Sequence, residues 1–161
     1  MESLGDILYR GINLLFNNKL KADFEIECLT DLTMEQIDSL IKYYDIRGII
    51  LDVDETLRYN MCDIPIENDK WLDMINRKLR IVVVSNGYDP KIEKVLQNKG
   101  IAYISLAYKP FRRNFIRACH LLRLNPKNIA VIGDDMLSDI YGGNINNMTT
   151  IKVNSKKKKG M

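Results

Sequence analysis

One histidine, one tryptophan and three cysteines among 161 residues leave little material for several common chemistries. Cys28, Cys62 and Cys119 are odd in number, scattered and form no CxxC pair, so with His120 as the sole histidine no zinc set can be assembled. Reduced thiols in a cytoplasmic protein are the simpler account of such cysteines. His120 lies in the apolar and basic stretch from Phe115 to Leu124 and reads as structural or surface, so catalysis should not depend on imidazole. No segment approaches the roughly 20 uninterrupted apolar residues that span a bilayer. Glu2 and Asp6 replace the basic start of a secretory leader, which is therefore not expected. The positive net charge is also thin. Four of the 24 basic residues form the run Lys156 to Lys159, leaving 20 against 21 acidic ones. A near-neutral body lacks the basic stripe of a nucleic-acid face, and no nucleic-acid partner is expected.

What is present is an ordinary globular composition, 46% hydrophobic and 28% charged, long enough for one domain with a sizeable core. Five apolar runs punctuate it: Gly48 to Val53, Ile81 to Val84, Ile101 to Leu106, Ile129 to Ile132 and Thr149 to Val153. Several are rich in Ile and Val without alternation, as strands buried on both faces are. Helices are expected between them. Thr33 and Gln36 have capping-box spacing, Asp89-Pro90 supplies a cap and a first-turn proline, Gly100 a stop, and Pro110 the start of a helix through Leu122. Strand alternating with helix predicts an α/β fold: a three-layer, Rossmann-like parallel sheet with helices on both faces. The expected organisation is an amphipathic segment over 1–20, a catalytic domain over 21–154 and a basic tail over 155–161, expected to be disordered. Leu4, Ile7, Leu8, Ile12, Leu15 and Phe16 make the amphipathic stripe, which packs on its own domain, on a partner, or on a membrane surface.

Polar residues cluster just past the expected strands. Asp52-Val53-Asp54-Glu55-Thr56 follows the first, Ser85-Asn86-Gly87 the second, Lys109-Pro110 the third, and Gly133-Asp134-Asp135, with Asp139, the fourth. In parallel sheets ligands bind at that edge. A carboxylate attacking a phosphate ester meets repulsion of about 4 kcal/mol per pair of unit charges 4 Å apart at an effective dielectric near 20. Such a site must therefore supply positive charge. Magnesium takes oxygen ligands, and Asp52 and Asp134 suit it. Lys109 adds a point charge, while Ser85, with Asn86 and backbone N–H groups beside it, can hold phosphoryl oxygens. Asp52 and Asp54 lie two apart, so both face the site if the strand continues past Val53. One can attack while the other moves protons.

These residues, in this order, resemble the four motifs of the haloacid dehalogenase superfamily. The resemblance implies that Asp52 is the nucleophile and a Mg2+ ligand, and that Asp54 is the general acid and base and binds the metal through its backbone carbonyl. Thr56 would shape the first loop beside the phosphate, Ser85 bind phosphate, Lys109 neutralise charge, Asp134 complete the metal set and Asp139 orient the metal's water shell. A receiver domain uses similar residues, but there Lys-Pro comes after the acidic pair; here Lys109 precedes Asp134.

Neither the dozen residues after Leu57 nor the two dozen between Ser85 and Lys109 can hold a cap domain, so an open site is expected, covered by a flap from Arg58 to Pro65. Tyr59 and Cys62 are flap candidates for substrate contact. From Ile37 to Val153 the chain is similar to the capless YqeG-like group, which includes phosphatidylglycerophosphate phosphatases. Ile46 to Asp52, Ala107 to Pro110, Gly133 to Ile140 and Gly142-Gly143-Asn144 carry that similarity. It departs at Glu55, Asp135 and Ile145, where the group commonly has asparagine, glutamine and arginine. The implied substrate is a phosphomonoester on a membrane glycerophospholipid, met by a cytoplasmic enzyme peripheral to the inner face of the membrane, with contact through residues 1–16. The alternatives are a soluble small-molecule phosphatase of the same chemistry and a non-catalytic partner-binding module.

Overall fold

Along β2 (Gly48–Leu51) every residue is buried, yet alternate side chains have different destinations. Ile49 and Leu51 join a core on one face of a sheet, and Ile50 joins a second core on the other. The split recurs in β3 (Arg80–Val84), where Ile81 and Val83 face the first core and Val82 and Val84 the second. Coverage on both faces is why these strands lack polar alternation. The structure, a computed structural model, describes Ser3 and residues 18–155. Within them β1 (Phe24–Ile26), β4 (Ala102–Ile104), β5 (Ile129–Gly133) and β6 (Thr149–Val153) complete a six-stranded sheet. Its order is β1-β6-β5-β2-β3-β4, and every pairing is parallel.

Helices α1 (Met34–Tyr44), α2 (Ile66–Asn76) and α3 (Pro90–Asn98) cover the first face through residues such as Ile37, Trp71, Leu72 and Leu96. On the second face α4 (Arg112–Leu122) packs Phe115, Ala118 and Leu122. A π-helical segment, Met136–Tyr141, runs from the end of β5 into the short α5 (Gly142–Ile145). Both expected caps form. Thr33 and Gln36 exchange side-chain and backbone hydrogen bonds, and the Asp89 carboxylate accepts from the Lys91 N–H ahead of Pro90. Gly100 sits just past α3 with φ +69°, a left-handed conformation that glycine adopts without a Cβ penalty.

Three local expectations are corrected. β2 ends at Leu51 rather than Val53, because beyond it the Leu57 and Arg58 N–H groups both turn back to the Val53 carbonyl. Pro110 does not open α4: the Phe111 N–H closes a turn onto the Tyr108 carbonyl, and the helix starts at Arg112. The edge strand β1 was not expected. It has three residues, and its pairing with β6 is fixed from outside itself, by Asp23 accepting from the Thr150 N–H.

From β2 the chain steps outward to β3 and β4, and from β5 it steps the other way to β6, so the winding reverses between β2 and β5. A crevice at such a reversal is the expected ligand site. The segments after β2 and β3 hold no inserted domain. No helix among the described residues is long and apolar enough to cross a membrane. The stripe from Leu4 to Phe16 and the run Lys156 to Lys159 lie outside the described residues.

Candidate active site

Asp52 is the first residue past β2, where its N–H still donates to the Ile132 carbonyl of β5 at 3.0 Å. Gly133 ends β5, and Asp134 follows directly. The two acids thus flank the reversal of winding. Asp139 arrives from the π-helical segment, whose Asp139 N–H donates to the Asp135 carbonyl at 3.0 Å. It comes close because Gly133 has no side chain: a Cβ there would overlap the Asp139 carboxylate. Carboxylate oxygens of Asp52, Asp134 and Asp139 lie within 4.8 Å of one another. Lys109 reaches in from the segment after β4. Its ammonium donates to Asp52 Oδ1 at 2.9 Å, Asp139 Oδ1 at 2.6 Å and the Val84 carbonyl at 2.8 Å. The Thr56 hydroxyl lies 3.4 Å from Asp52 Oδ2 and 3.5 Å from Asp134 Oδ1.

Three buried or half-buried carboxylates face one ammonium, and the electrostatics follow. Burial works against the Lys109 charge, but Asp139 and Asp52 outweigh it and hold its pKa above the ordinary lysine value. Burial, then the hydrogen bond and negative charge of Asp52, push Asp134 up to about 7. Burial raises Asp139 too, opposed by its ion pair with Lys109. A divalent cation fits this donor set. The ligands are all oxygen, as magnesium requires, and Asp134 is driven toward neutrality by burial and by the negative charge of Asp52, which such an ion would offset.

The expected site residues converge, with changes of detail. Ser85 is buried at the end of β3, and its hydroxyl accepts from the Gly87 N–H at 3.2 Å. The carboxamide of Asn86, expected on phosphate, is engaged elsewhere: it accepts from the Lys109 N–H at 2.6 Å and donates to the Lys109 carbonyl at 3.2 Å. Asp54 shares a wall with Ser85, since a Cβ on Gly87 would lie 3.7 Å from Asp54 Oδ2 and 3.8 Å from Ser85 Oγ. Its side chain is outside the three-carboxylate cluster and pairs with Arg58 Nε at 2.9 Å. Arg58 was expected in the flap. Instead it is 4% exposed and bridges Asp54 to Asp89, whose Oδ2 lies 2.5 Å from the guanidinium. Tyr59 is buried as well, leaving 60–63 as the exposed part of the flap, Cys62 included. Sequence reasoning assigned no role to Arg58 beyond the flap, and none to Gly133 beyond its place in the fourth motif. Arg58 carries a weak signal in its spacing of four from Asp54. His120 is exposed on α4 and belongs to no part of the cluster.

The acids, Ser85, Gly87 and Lys109 line a cavity of about 210 Å³. A larger one of about 610 Å³ opens at the amino edge, but Arg47, Arg77, Lys78 and Arg80 line it and no carboxylate does. Donor set is the better guide here than size.

A family model described as HAD-hydrolase-like matches residues 107–160. The probable phosphatase YqeG of Bacillus subtilis is 34% identical over 118 residues, which are 70% of this chain and 67% of that one. Among solved structures, an uncharacterized protein from Listeria monocytogenes serotype 4b superposes with TM-score 0.56 at 18% identity, over 68% of this chain and 79% of that one. A 2-haloacid dehalogenase from Pseudomonas syringae superposes with TM-score 0.52 at 19% identity, over 57% and 42%. Both structural likenesses speak to the fold.

Proposed function

The chain belongs to the haloacid dehalogenase-like family of hydrolases and is a phosphatase, and from that premise we propose that it cleaves phosphomonoesters by forming an aspartyl-phosphate on Asp52. The observation that carries this reading is the Lys109 ammonium shared between Asp52 and Asp139 inside a cluster of acids at the reversal of winding. A buried lysine there fixes the direction of one carboxylate while leaving Asp52 Oδ2 beside the hydroxyl of Thr56.

In the proposed mechanism Asp52 and Asp134, with the backbone carbonyl of Asp54, would hold Mg2+. When bound, the ion supplies the positive charge that lets a phosphate dianion approach carboxylates. Ser85 binds a phosphoryl oxygen. An Asp52 oxygen forms a bond to phosphorus as the ester P–O bond breaks, and Asp54 gives its proton to the departing alkoxide. Water then attacks phosphorus and passes a proton to Asp54. The acyl-phosphate bond breaks, releasing inorganic phosphate and restoring Asp52. Thr56 keeps Asp52 and Asp134 in register, Asn86 fixes the Lys109 backbone, and Asp139 anchors the Lys109 ammonium.

Replacing Asp52 by asparagine should lower turnover of an aryl phosphate on the order of 10³-fold or more, about 4 kcal/mol of barrier. The check is Mg2+-dependent phosphate release by freshly purified protein, with deamidation excluded by mass. Retained activity would reject Asp52 as nucleophile.

For the substrate we propose a phosphomonoester on a glycerophospholipid head group such as phosphatidylglycerophosphate. A cavity of about 210 Å³ without a cap domain accommodates the phosphate end and leaves the remainder of the substrate outside, at a rim. Small metabolites are better served by enclosure. Phosphate release from the lipid in mixed micelles should exceed that from soluble sugar and nucleotide phosphates. A tenfold or greater preference for a soluble ester, about 1.4 kcal/mol, would reject the lipid and favour the soluble-metabolite reading.

A further inference from the structure

Among the described residues eleven large apolar side chains are exposed, and six of them lie in segments that follow the carboxyl ends of β2 to β5: Met61, Tyr88, Leu106, Tyr108, Phe111 and Leu137. They form a broken apolar rim around the acid cluster. The densest part is the corner between β4 and α4, where Leu106, Tyr108 and Phe111 are 55%, 70% and 72% exposed. This corner is held outward by its backbone. Leu106 and Tyr108 have φ of 49° and 53°, a left-handed conformation uncommon in residues other than glycine. The Leu106 N–H donates to the Gly87 carbonyl, the Ala107 N–H to Ser85 and the Phe111 N–H to Tyr108, while Asn114 donates to the Ala107 carbonyl at 2.8 Å. Presenting large apolar tips on such a framework is unfavourable in water and calls for an occupant.

Charge says which kind. From Ile101 to Gly133 the chain has no aspartate or glutamate. Within that stretch Arg112, Arg113 and Arg117 are exposed beside the corner, and none is ion-paired among the described residues. Leu106, Tyr108, Phe111, Arg113 and Arg117 line one shallow cavity of about 520 Å³. The other side of the rim differs: Asp63, Glu67 and Asp135 are exposed there. An apolar tip flanked by arginines that have no ion pair among the described residues matches an anionic lipid surface, where apolar side chains enter the interface and arginines meet phosphates.

We infer that the β4–α4 corner, from Leu106 to Arg117, is the surface by which this enzyme docks on an anionic bilayer. The inference rests on the lipid-substrate reading and adds to it the orientation of the molecule. Tyr108 precedes Lys109, whose ammonium touches Asp52, so docking by this corner sets the mouth of the site against the head groups. A lipid phosphate then reaches the acids without its acyl chains leaving the membrane. Membrane contact does not have to come from residues 1–16.

The test is flotation of the full chain with vesicles of phosphatidylcholine, alone or mixed with phosphatidylglycerol. Wild-type protein should float with the mixed vesicles and stay behind with the neutral ones. Arg113→Gln combined with Arg117→Gln should weaken partitioning roughly 30-fold, two surface arginines' worth. Leu106→Ser combined with Phe111→Ser should weaken it at least tenfold, an expectation of order of magnitude from the apolar area withdrawn. Both pairs should keep Mg2+-dependent turnover of a soluble aryl phosphate, since none of the four residues touches the acid cluster. Undiminished flotation of both pairs would hand the membrane contact to the amino-terminal stripe and overturn the inference, as would failure of the wild type to float. Absence of Mg2+-dependent aryl phosphate turnover in the wild type would instead sink the phosphatase mechanism, and flotation would still judge the corner.

Discussion

Arg58 shows what residue-level pattern can and cannot reveal. Its guanidinium is buried and forks between Asp54 and Asp89, so it aims the carboxylate proposed as proton donor. Asp52, Asp54, Lys109 and Asp134 are recognisable because each stands in a short pattern of fixed residue types. Arg58 is not, because the partner that defines its role is 31 positions away. The partner of Asn86 is likewise distant: its amide is matched by the backbone of Lys109, 23 positions on. As a positioning residue Arg58 should act on turnover rather than on binding. Arg58→Met keeps most of the volume and removes the fork; kcat for an aryl phosphate should fall on the order of 10²-fold with KM little changed, as for a slightly misplaced catalytic group. Arg58→Lys, which can reach one partner, should recover part of the loss. A rise in KM at constant kcat would place Arg58 in substrate binding instead.

Elements were legible where their causes are local. The capping box of α1, the Asp89-Pro90 start of α3 and the Ile- and Val-rich strands all depend on residues within a few positions of one another, and all form. Elements with distant causes were not legible. β1 pairs with β6 from the other end of the described residues, and α4 starts only after a segment whose Lys109 reaches Asp52, 57 positions back. Asp89 joins the two kinds, capping α3 and holding Arg58. Its replacement by alanine should therefore cost more stability than loss of a cap alone, whereas Thr33→Ala should cost about 1 kcal/mol and leave activity intact. Urea midpoints of Asp89→Ala, Arg58→Met and the double variant form a cycle that separates the two roles. Additive losses would mean that the Asp89 arm of the fork contributes nothing beyond the cap.

At the scale of the whole molecule the sheet gathers acids at one edge and gives them too little positive charge. The near-neutral total conceals this, because the imbalance is spatial and appears only when four loops are brought together. Asp134 then carries a pKa of about 7 in the folded chain against 3.8 for an ordinary aspartate. The sign of the consequence is fixed. Between those values the unfolded chain has already released a proton that the native state keeps, so this group lowers stability as pH rises from about 4 to about 7, and the deficit is complete above that range. A divalent cation competes with the same proton and should relieve the deficit only where Asp134 is ionised. Mg2+ should therefore raise the melting temperature more at about pH 8 than at about pH 5, and Asp134→Asn should abolish most of that difference. Calorimetry with and without Mg2+ at the two pH values decides it. Equal shifts at both would mean that the ion is held elsewhere, and the acid cluster would lose its place as the metal centre.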